Sequence, residues 1–268
     1  MRKIRRSGSL LIFLMAVCFA ITSHSQTRVP DVHFEPTPEA TVIAMLNKAG
    51  VNKDDVVYDL GCGDGRFVIS AAKRFGARGV GIDIDPVRIK ESKENAQKAN
   101  VADRTKFIEG DLFKADIRGA TVVTLYLLNE LNYQLRPKFF QELRPGTRIV
   151  SYTFDMADWE PDEMVQVGGR FYYYWVIPAN VAGIWNFKSV SFRGELQDQV
   201  ALYQEFQEIS GKVTVHGQEI RIRDQRLKGD QLSFSARYNF EGQNVAMKFN
   251  GRVTGNIIEG SVEIQGGP

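Results

Sequence analysis

Three glycines at alternate positions, Gly61, Gly63 and Gly65, constrain the fold of this chain more than any other feature of its 268 residues. They follow a short apolar stretch that ends at Leu60, and a stretch with helical periodicity begins near Phe67. Glycine lets a backbone turn sharply and approach a ligand closely. A strand, a glycine-rich turn and a helix in this order are typical of a sheet whose strand ends bind a nucleotide-bearing ligand.

The surrounding sequence alternates between helical stretches and short apolar strands from residue 38 to about residue 150. This alternation is the signature of βαβ units and predicts an α/β fold of Rossmann-like type with a mostly parallel, twisted sheet. The predicted helices are 38–50, 67–75, 86–100 and 136–143, and the predicted strands are 56–60, 79–83, 105–110, 121–127 and 147–154.

Beyond Trp159 the helical period gives way to strand-like alternation interrupted by glycines. The aromatic stretch 171–177 is predicted as a strand. Seven further strands are predicted at 184–190, 200–208, 212–215, 219–224, 231–238, 245–249 and 257–264, with turns at hairpin spacing between them. We therefore expect a smaller antiparallel β meander or barrel over residues 183–268.

Two acidic positions support a ligand site at the glycine turn. Asp83 closes the second predicted strand and follows Gly61 by 22 residues, close to the roughly 20 expected for a carboxylate that binds ribose hydroxyls. Asp111 follows the third strand, where a carboxylate can accept a hydrogen bond from an adenine amino group. An aspartate at such a position alone is more often a helix cap or a solvent-facing turn residue.

Two alternatives for the turn stay open on the residues alone. A dinucleotide fingerprint requires glycine or alanine where Arg66 stands, so binding of a dinucleotide is the weaker alternative. A purely structural glycine turn in another α/β protein is the other. The spacing from Gly61 to Asp83 favours a ligand site over the structural turn.

The sequence resembles the class I S-adenosylmethionine (SAM) dependent methyltransferases in residues 59–65, in Gly81-Ile82-Asp83 and in Gly110-Asp111. It resembles more closely the small lysine methyltransferases of the mitochondrial ATP synthase c-subunit type and their prokaryotic relatives. That closer resemblance lies in Pro36-Thr37-Pro38, in the turn with Arg66 after it, and in residues 125–128. It covers residues 35–178, which we predict to be the methyltransferase domain.

The resemblance implies how SAM is bound as methyl donor. Asp59 and the backbone at Gly61 and Gly63 would hold the methionine end, Asp83 the ribose diol and Asp111 the adenine amino group. Ile84 would pack on the adenine. The full predicted cofactor-binding set is Asp59, Gly61, Cys62, Gly63, Asp83, Ile84, Asp111 and Leu112. The expected reaction is an in-line displacement that needs positioning, with no metal and no nucleophilic side chain.

The acceptor is less constrained by the sequence. Tyr126, Asn129 and Glu130 follow the fourth predicted strand and are candidates for orienting or deprotonating an acceptor amine, although each is also explained as a core or capping residue. Relatives that methylate ring nitrogens of nucleobases often carry an Asn-Pro-Pro-aromatic sequence there. Its absence argues against base methylation. The resemblance to lysine methyltransferases implies an amine, such as a protein lysine, as the acceptor.

The N-terminus differs in composition from the rest of the chain. Basic residues from Arg2 to Arg6 precede an apolar run of 12 residues from Leu10 to Ile21 and then small and polar residues, which is the layout of a signal peptide. Residues 1–25 are therefore predicted to be a cleaved signal peptide or an uncleaved membrane anchor. Only Cys62 lies outside them, so no internal disulfide is expected in a processed chain.

Charge and localisation complete the prediction. The formal net charge is +2, and about −2 without the four basic residues of the N-terminal segment, so no nucleic-acid partner is expected. A signal peptide predicts an exported, periplasmic or membrane-anchored bacterial protein. This conflicts with the supply of SAM, which is made in the cytosol. A cytoplasmic protein whose start has been misread is therefore the alternative. We predict a SAM-dependent methyltransferase, and a noncatalytic exported ligand-binding or interaction protein on the same scaffold is the alternative function.

Overall fold

The computed structural model describes residues 34–191 and 194–266. The predicted signal peptide or anchor at 1–25 lies outside these residues. The four helices of the described part are α1 (Glu39–Lys48), α2 (Arg66–Phe75), α3 (Pro86–Lys98) and α4 (Asn129–Glu142). None of the helices described is long and apolar enough to cross a bilayer.

Seven strands form one large sheet. They are β1 (Val56–Leu60), β2 (Arg78–Asp83), β3 (Thr105–Glu109), β4 (Val122–Leu125), β5 (Arg148–Tyr152), β6 (Glu163–Val167) and β7 (Arg170–Val176). The order across the sheet is β3-β2-β1-β4-β5-β7-β6. The first five strands pair in parallel, and β7 runs antiparallel to both β5 and β6. The predicted mostly parallel α/β sheet is confirmed.

Alternate residues of the central strands pack into two cores on opposite faces of this sheet. Val57 faces the core that α1 and α2 cover, and the next residue, Tyr58, faces the core that α4 covers. Because both faces are covered by helices, the strands read as continuous apolar runs rather than as alternating ones. Val122 and Val123 in β4 follow the same rule.

Three sequence predictions differ from the structure in this half. Helix α4 begins at Asn129, seven residues before the predicted start, and it carries Pro137 in its interior. Strand β4 ends at Leu125, so residues 126 and 127 leave the sheet. Strand β6 was not predicted. It pairs with β7 through a tight turn at Gly168-Gly169, where both residues have positive φ.

The C-terminal part, which we call the β region (residues 183–266), consists of two four-stranded antiparallel meanders. One has the order β11-β10-β9-β8 and the other β12-β13-β14-β15. Their strands are β8 (Gly183–Ser191), β9 (Gly194–Glu205), β10 (Glu208–Val215), β11 (Gln218–Arg221), β12 (Arg223–Lys228), β13 (Gln231–Phe240), β14 (Gln243–Thr254) and β15 (Ile257–Gln265). The predicted strand 200–208 is wrong at its end, because a two-residue turn at 206–207 separates β9 from β10.

The apolar faces of the two meanders share one core, which includes Val200 and Val213 from the first and Phe234 and Met247 from the second. The additional antiparallel β structure is therefore confirmed. The border predicted between residues 178 and 183 falls between β7 and β8, and the division of the chain into two domains stays a prediction.

Candidate cofactor and acceptor site

A cavity with a volume of about 650 Å³ lies at the carboxyl ends of the parallel strands. It is lined by Asp59 of β1, by Asp83 of β2 and by Tyr126, the residue directly after β4. The chain order reverses between β1 and β4, so the cavity lies at the position where open α/β sheets bind ligands. Its size is within the range of cofactor sites.

The glycine turn borders this cavity through Gly61, Cys62 and Asp64, and its three glycine positions have no room for side chains. Gly61, Gly63 and Gly65 all have positive φ, and Gly65 is the residue that precedes α2. A Cβ atom on Gly63 would lie 2.2 Å from the ring of Phe34, and one on Gly65 would lie 2.8 Å from the ring of Phe107. The turn is thus fixed both by conformation and by close packing.

Asp83 ties the turn to the end of β2. Its Oδ2 accepts a hydrogen bond of 2.8 Å from the backbone N–H of Gly63, and its Oδ1 accepts one of 2.9 Å from the N–H of Asp85. Each carboxylate oxygen keeps a free lone pair for a ligand. Asp83 and Ile84 both line the cavity, as the sequence predicts.

Asp59 is a buried carboxyl group, with 3% of its surface exposed. Its Oδ1 accepts a hydrogen bond of 2.7 Å from the hydroxyl of Thr124. Burial raises the pKa of Asp59 to about 8, and the negative charges of Asp83 and Asp64 add to the rise, while the Thr124 hydrogen bond opposes it. A positively charged ligand group in the cavity would favour the ionised form of Asp59.

Asp111 and Leu112 line the far wall. The Oδ1 of Asp111 accepts a hydrogen bond of 2.9 Å from the N–H of Phe113, and its Oδ2 lies 3.8 Å from the ammonium of Lys114. Asp111 therefore acts as a turn residue in this structure and also faces the cavity.

Cys62 lines the cavity as well and is 3% exposed. Burial raises the pKa of its thiol, so Cys62 stays protonated and serves as a small packing residue. Within the described residues, no group of three or more histidine, cysteine or carboxylate side chains has an arrangement that could hold a metal ion.

An aromatic and acidic cluster adjoins the cofactor cavity on the side of β4 and β5. The ring of Tyr126 stacks on Phe154 with 6.1 Å between centroids and contacts Tyr152 at 4.9 Å. Arg170, at the start of β7, donates a hydrogen bond of 2.8 Å to the Tyr126 hydroxyl and lies 3.5 Å from a carboxylate oxygen of Glu35. Burial, and next the hydrogen bond with Glu35, raise the pKa of Tyr126, which therefore keeps its proton.

The structure separates the three candidate acceptor residues. Tyr126 lines the cavity, whereas Asn129 and Glu130 are exposed in the first turn of α4 and are not among the lining residues. The Asn129 side chain donates a hydrogen bond of 2.6 Å to Oδ1 of Asp155. That these three residues act on an acceptor stays a prediction.

The lining residues that sequence reasoning missed include Phe34, Glu35 and Phe154. Phe34 packs on Gly63, and its ring lies 4.8 Å from the guanidinium carbon of Arg88. Phe34 and Glu35 directly precede the Pro36-Thr37-Pro38 stretch, and this position was the signal for them in the sequence. Phe154 stands at the end of a predicted strand, where a cavity-lining residue is expected in a parallel sheet.

Comparison with known proteins identifies the family. The sequence model of the ANTKMT methyltransferase domain matches residues 59–163. The chain is 48% identical over 140 residues to a protein-lysine N-methyltransferase of Saccharolobus islandicus (strain REY15A), and the match covers 52% of this chain and 87% of the relative. The chain belongs to this methyltransferase family. This confirms the resemblance that the sequence motifs indicate.

Two further comparisons support the assignment. The Xenopus laevis lysine N-methyltransferase that is named for the c-subunit of ATP synthase is 29% identical over 163 residues, 60% of this chain and 70% of that protein. A solved structure described as an RNA methyltransferase from Salinibacter ruber, in complex with S-adenosyl-L-homocysteine, is 54% identical with a TM-score of 0.54. It covers 55% of this chain and 96% of that one. The protein is a SAM-dependent methyltransferase, with SAM as methyl donor.

The residues of the cavity fit this donor. Gly61 of the glycine turn lines the cavity without a side chain, and a buried carboxyl group, Asp59, lies in the same wall and would stabilise a cationic group. Asp59, Asp83 and Asp111 each extend from the end of a different strand, so one extended ligand can contact all three. Their individual roles toward SAM stay predictions.

Proposed function

We propose that this methyltransferase transfers the methyl group of SAM to the side-chain amine of a protein lysine. The observation that carries the proposal is the cluster of Glu35, Tyr126 and Phe154 beside the cofactor cavity. Aromatic faces attract an alkylammonium group, and a carboxylate accepts its hydrogen bonds. The lysine methyltransferases among the relatives support the same acceptor.

The charge of the cavity wall also favours a cationic acceptor. Among the lining residues are six carboxyl groups and two guanidinium groups. Both guanidinium groups are near lining carboxylates, Arg66 at 2.5 Å from Asp64 and Arg88 at 3.9 Å from Asp85. The remaining negative charge attracts SAM and a lysine side chain, and it repels a polyanion.

The reaction needs a neutral amine. Its nitrogen lone pair attacks the methyl carbon in line with the sulfur, a nitrogen–carbon bond forms, and the carbon–sulfur bond breaks to release S-adenosylhomocysteine. In our proposal Glu35 accepts the proton that the amine loses, while Tyr126 and Phe154 confine the amine to the wall of the cavity. Arg170 contacts both Glu35 and the Tyr126 hydroxyl and so positions them.

RNA is the second candidate acceptor. It is favoured by the description of the Salinibacter ruber protein as an RNA methyltransferase, at 54% identity. The acidic cavity wall and the absence of an Asn-Pro-Pro-aromatic sequence after β4 weigh against it. Protein acceptors and RNA can be tested side by side.

The test is to incubate the full chain with methyl-labelled SAM and three acceptors: a lysine-rich peptide, the same peptide with acetylated lysines, and total RNA. We expect label in the unmodified peptide, located on lysine by mass spectrometry. Label in RNA with an unlabelled peptide would replace the lysine proposal with the RNA alternative. Equal label in the acetylated peptide would move the acceptor to another side chain.

Changing Glu35 to glutamine is expected to lower kcat/KM for the lysine peptide by about 10- to 100-fold, because the amide cannot take the proton. The affinity for SAM is expected to stay within about twofold, since its predicted ligands are elsewhere in the cavity. The measurement is a steady-state assay at saturating SAM, with SAM affinity from calorimetry.

The matched control is Glu39→Gln. Glu39 is also an acidic residue of the N-terminal part, but it is exposed and pairs with Arg74 on α2. Its kinetics are expected to equal those of the unaltered protein. If Glu35→Gln has the activity of this control, Glu35 takes no part in proton transfer.

We further propose that the protein acts outside the cytosol, exported or attached to the membrane through residues 1–25. The basic stretch and the apolar run of the sequence support this proposal. Alkaline phosphatase fused after Pro268 is expected to be active in a bacterial host, because that reporter needs an oxidising compartment. Deletion of residues 10–21 is expected to abolish the activity of the reporter. Equal reporter activity with and without residues 10–21 would contradict export by this segment.

A further inference from the structure

The turn between β9 and β10 is a strained two-residue turn that points away from the core of the β region. Glu205 pairs with Glu208, which leaves Phe206 and Gln207 as the turn. Phe206 has a φ of +53°, a conformation that a bulky residue rarely adopts. A two-residue hairpin turn requires a positive φ at its first residue, and contacts around the ring offset the cost of a bulky residue there.

Those contacts come from the methyltransferase part of the chain. The Phe206 ring stacks on Trp159 with 6.0 Å between centroids and on Phe140 of α4 with 5.8 Å. The guanidinium of Arg136, also on α4, lies 5.0 Å from the same ring. The turn therefore docks with its aromatic side chain against α4 and the segment after β5.

Gln207 fixes the same segment by two hydrogen bonds. Its Oε1 accepts one of 2.8 Å from the indole N–H of Trp159, and its Nε2 donates one of 2.8 Å to the carbonyl of Glu160. Trp159 is 1% exposed, so its indole N–H would be left without a partner if Gln207 moved away.

We call residues 153–160 the β5–β6 segment. Besides Trp159 and Glu160 it carries Phe154, which lines the cavity and stacks on Tyr126. Two of its other residues, Thr153 and Ala157, have positive φ. A segment with two strained residues needs external contacts to hold a single conformation.

Helix α4 supplies the contacts at the other end of the segment. The buried Asn132 donates hydrogen bonds of 3.2 Å to the carbonyls of both Phe154 and Asp155. Arg136 donates one of 3.1 Å to the carbonyl of Met156, and it also contacts Phe206. The segment is therefore held between α4 and the turn of the β region.

We propose that Phe206 and Gln207 are positioning residues for methyl transfer: the β region holds the β5–β6 segment so that Phe154 forms the acceptor wall. This gives the β region a role in the reaction without contact with the reacting atoms. The kinetic part of the inference rests on the proposed lysine acceptor, whereas the structural part, that the turn orders the segment, does not.

The deciding variant is Phe206→Gly in the full chain. Glycine adopts a positive φ without strain, so stability is largely kept while the ring is lost. Hydrogen exchange of peptides covering residues 153–160 is expected to become about tenfold faster, because the segment opens locally more often. KM for the lysine peptide is expected to rise about tenfold with SAM affinity unchanged, since a displaced positioning group acts on the acceptor alone.

Two further variants separate positioning from general stability. Phe206→Tyr retains the ring and is expected to restore both readouts. His216→Gly removes a ring from another turn of the β region, where His216 also has positive φ and stacks on Phe240, and it is expected to leave both readouts unchanged.

The outcomes are distinguishable. Unchanged exchange in residues 153–160 of Phe206→Gly overturns the inference, as does an equal effect of His216→Gly. Faster exchange in a protein that methylates no lysine at all refutes the proposed acceptor but retains the positioning role of the turn. Faster exchange with a selective rise in acceptor KM supports both.

Discussion

Replacement of Asp83 by alanine is expected to weaken SAM binding by about 100-fold or more. Two charge-assisted hydrogen bonds to the ribose would be lost, each worth roughly 1.5–3 kcal/mol. The substitution also removes the acceptor for the N–H groups of Gly63 and Asp85, so the glycine turn keeps its backbone hydrogen bonds to Ile82 of β2 but loses the side-chain tie. Calorimetric titration of SAM and of S-adenosylhomocysteine into the full chain measures the effect.

The matched control is Asp116→Ala. Asp116 is an exposed carboxylate that pairs with Arg118 at 2.6 Å and does not line the cavity. Its variant is expected to bind SAM like the unaltered protein. An Asp83→Ala protein that is folded by circular dichroism and binds SAM within a few-fold of the control would remove Asp83 from the cofactor site.

SAM affinity is expected to rise as the pH rises toward about 8, the raised pKa of Asp59. Below this pH the ligand-free protein holds Asp59 protonated, and binding of a cationic ligand group must release that proton. Each pH unit then changes the affinity by up to about tenfold. The Asp59→Asn variant is expected to bind SAM more weakly at high pH and to show a much flatter pH dependence.

The raised pKa of Asp59 also predicts how the stability of the ligand-free protein changes with pH. Because burial raises the pKa of Asp59 in the folded state, the folded protein binds more protons than the unfolded chain between pH 3.8 and about 8. Asp59 therefore makes its full contribution to the free energy of unfolding below pH 3.8, and this contribution falls as the pH rises to about 8. The loss is at most about 1.4 kcal/mol per pH unit.

The comparison of unfolding free energies between the unaltered protein and Asp59→Asn across that window isolates this contribution, since all other groups cancel. A difference that is constant with pH would mean that Asp59 titrates in the folded protein as it does in the unfolded chain. In that case the pH dependence of SAM binding would need another group.

The cofactor half of the site could be predicted from the sequence because its residues follow strand ends. Strand β1 was predicted with its observed bounds, and parallel strands bring their carboxyl ends to one edge of the sheet. Asp59, Asp83 and Asp111 therefore had to lie near one another, and all three line the cavity. Local patterns were sufficient for this part.

The acceptor side could not be predicted in the same way. Glu35 and Phe154 belong to irregular segments that reach the cavity through tertiary contacts, and Arg170 belongs to a hairpin whose first strand, β6, carries no clear alternation in its sequence. Asn129 and Glu130 were candidates because a long fourth strand was expected. Helix α4 begins at that position instead and turns both residues outward.

The β region shows a similar limit. Turn residues at hairpin spacing predicted its strands, since glycine and polar residues mark such turns. The turn at Phe206-Gln207 carries neither glycine nor a preferred turn residue, so no signal in the sequence indicated this contact with the methyltransferase part. The two-residue hairpin requires the positive φ, and the contacts around Phe206 account for a bulky residue at that position.

The reversed direction of β7 has a consequence for how such an enzyme can change its substrate. The parallel strands β1 and β2 bring residues near their carboxyl ends, Asp59 and Asp83, to the cavity, whereas β7 brings its first residue, Arg170, against the lining residues Tyr126 and Glu35. In the proposed mechanism the hairpin of β6 and β7 acts on the acceptor through Arg170, while the predicted SAM residues follow the ends of the parallel strands. A change in the length or charge of the hairpin is then expected to alter the choice of acceptor and to leave the SAM site unchanged.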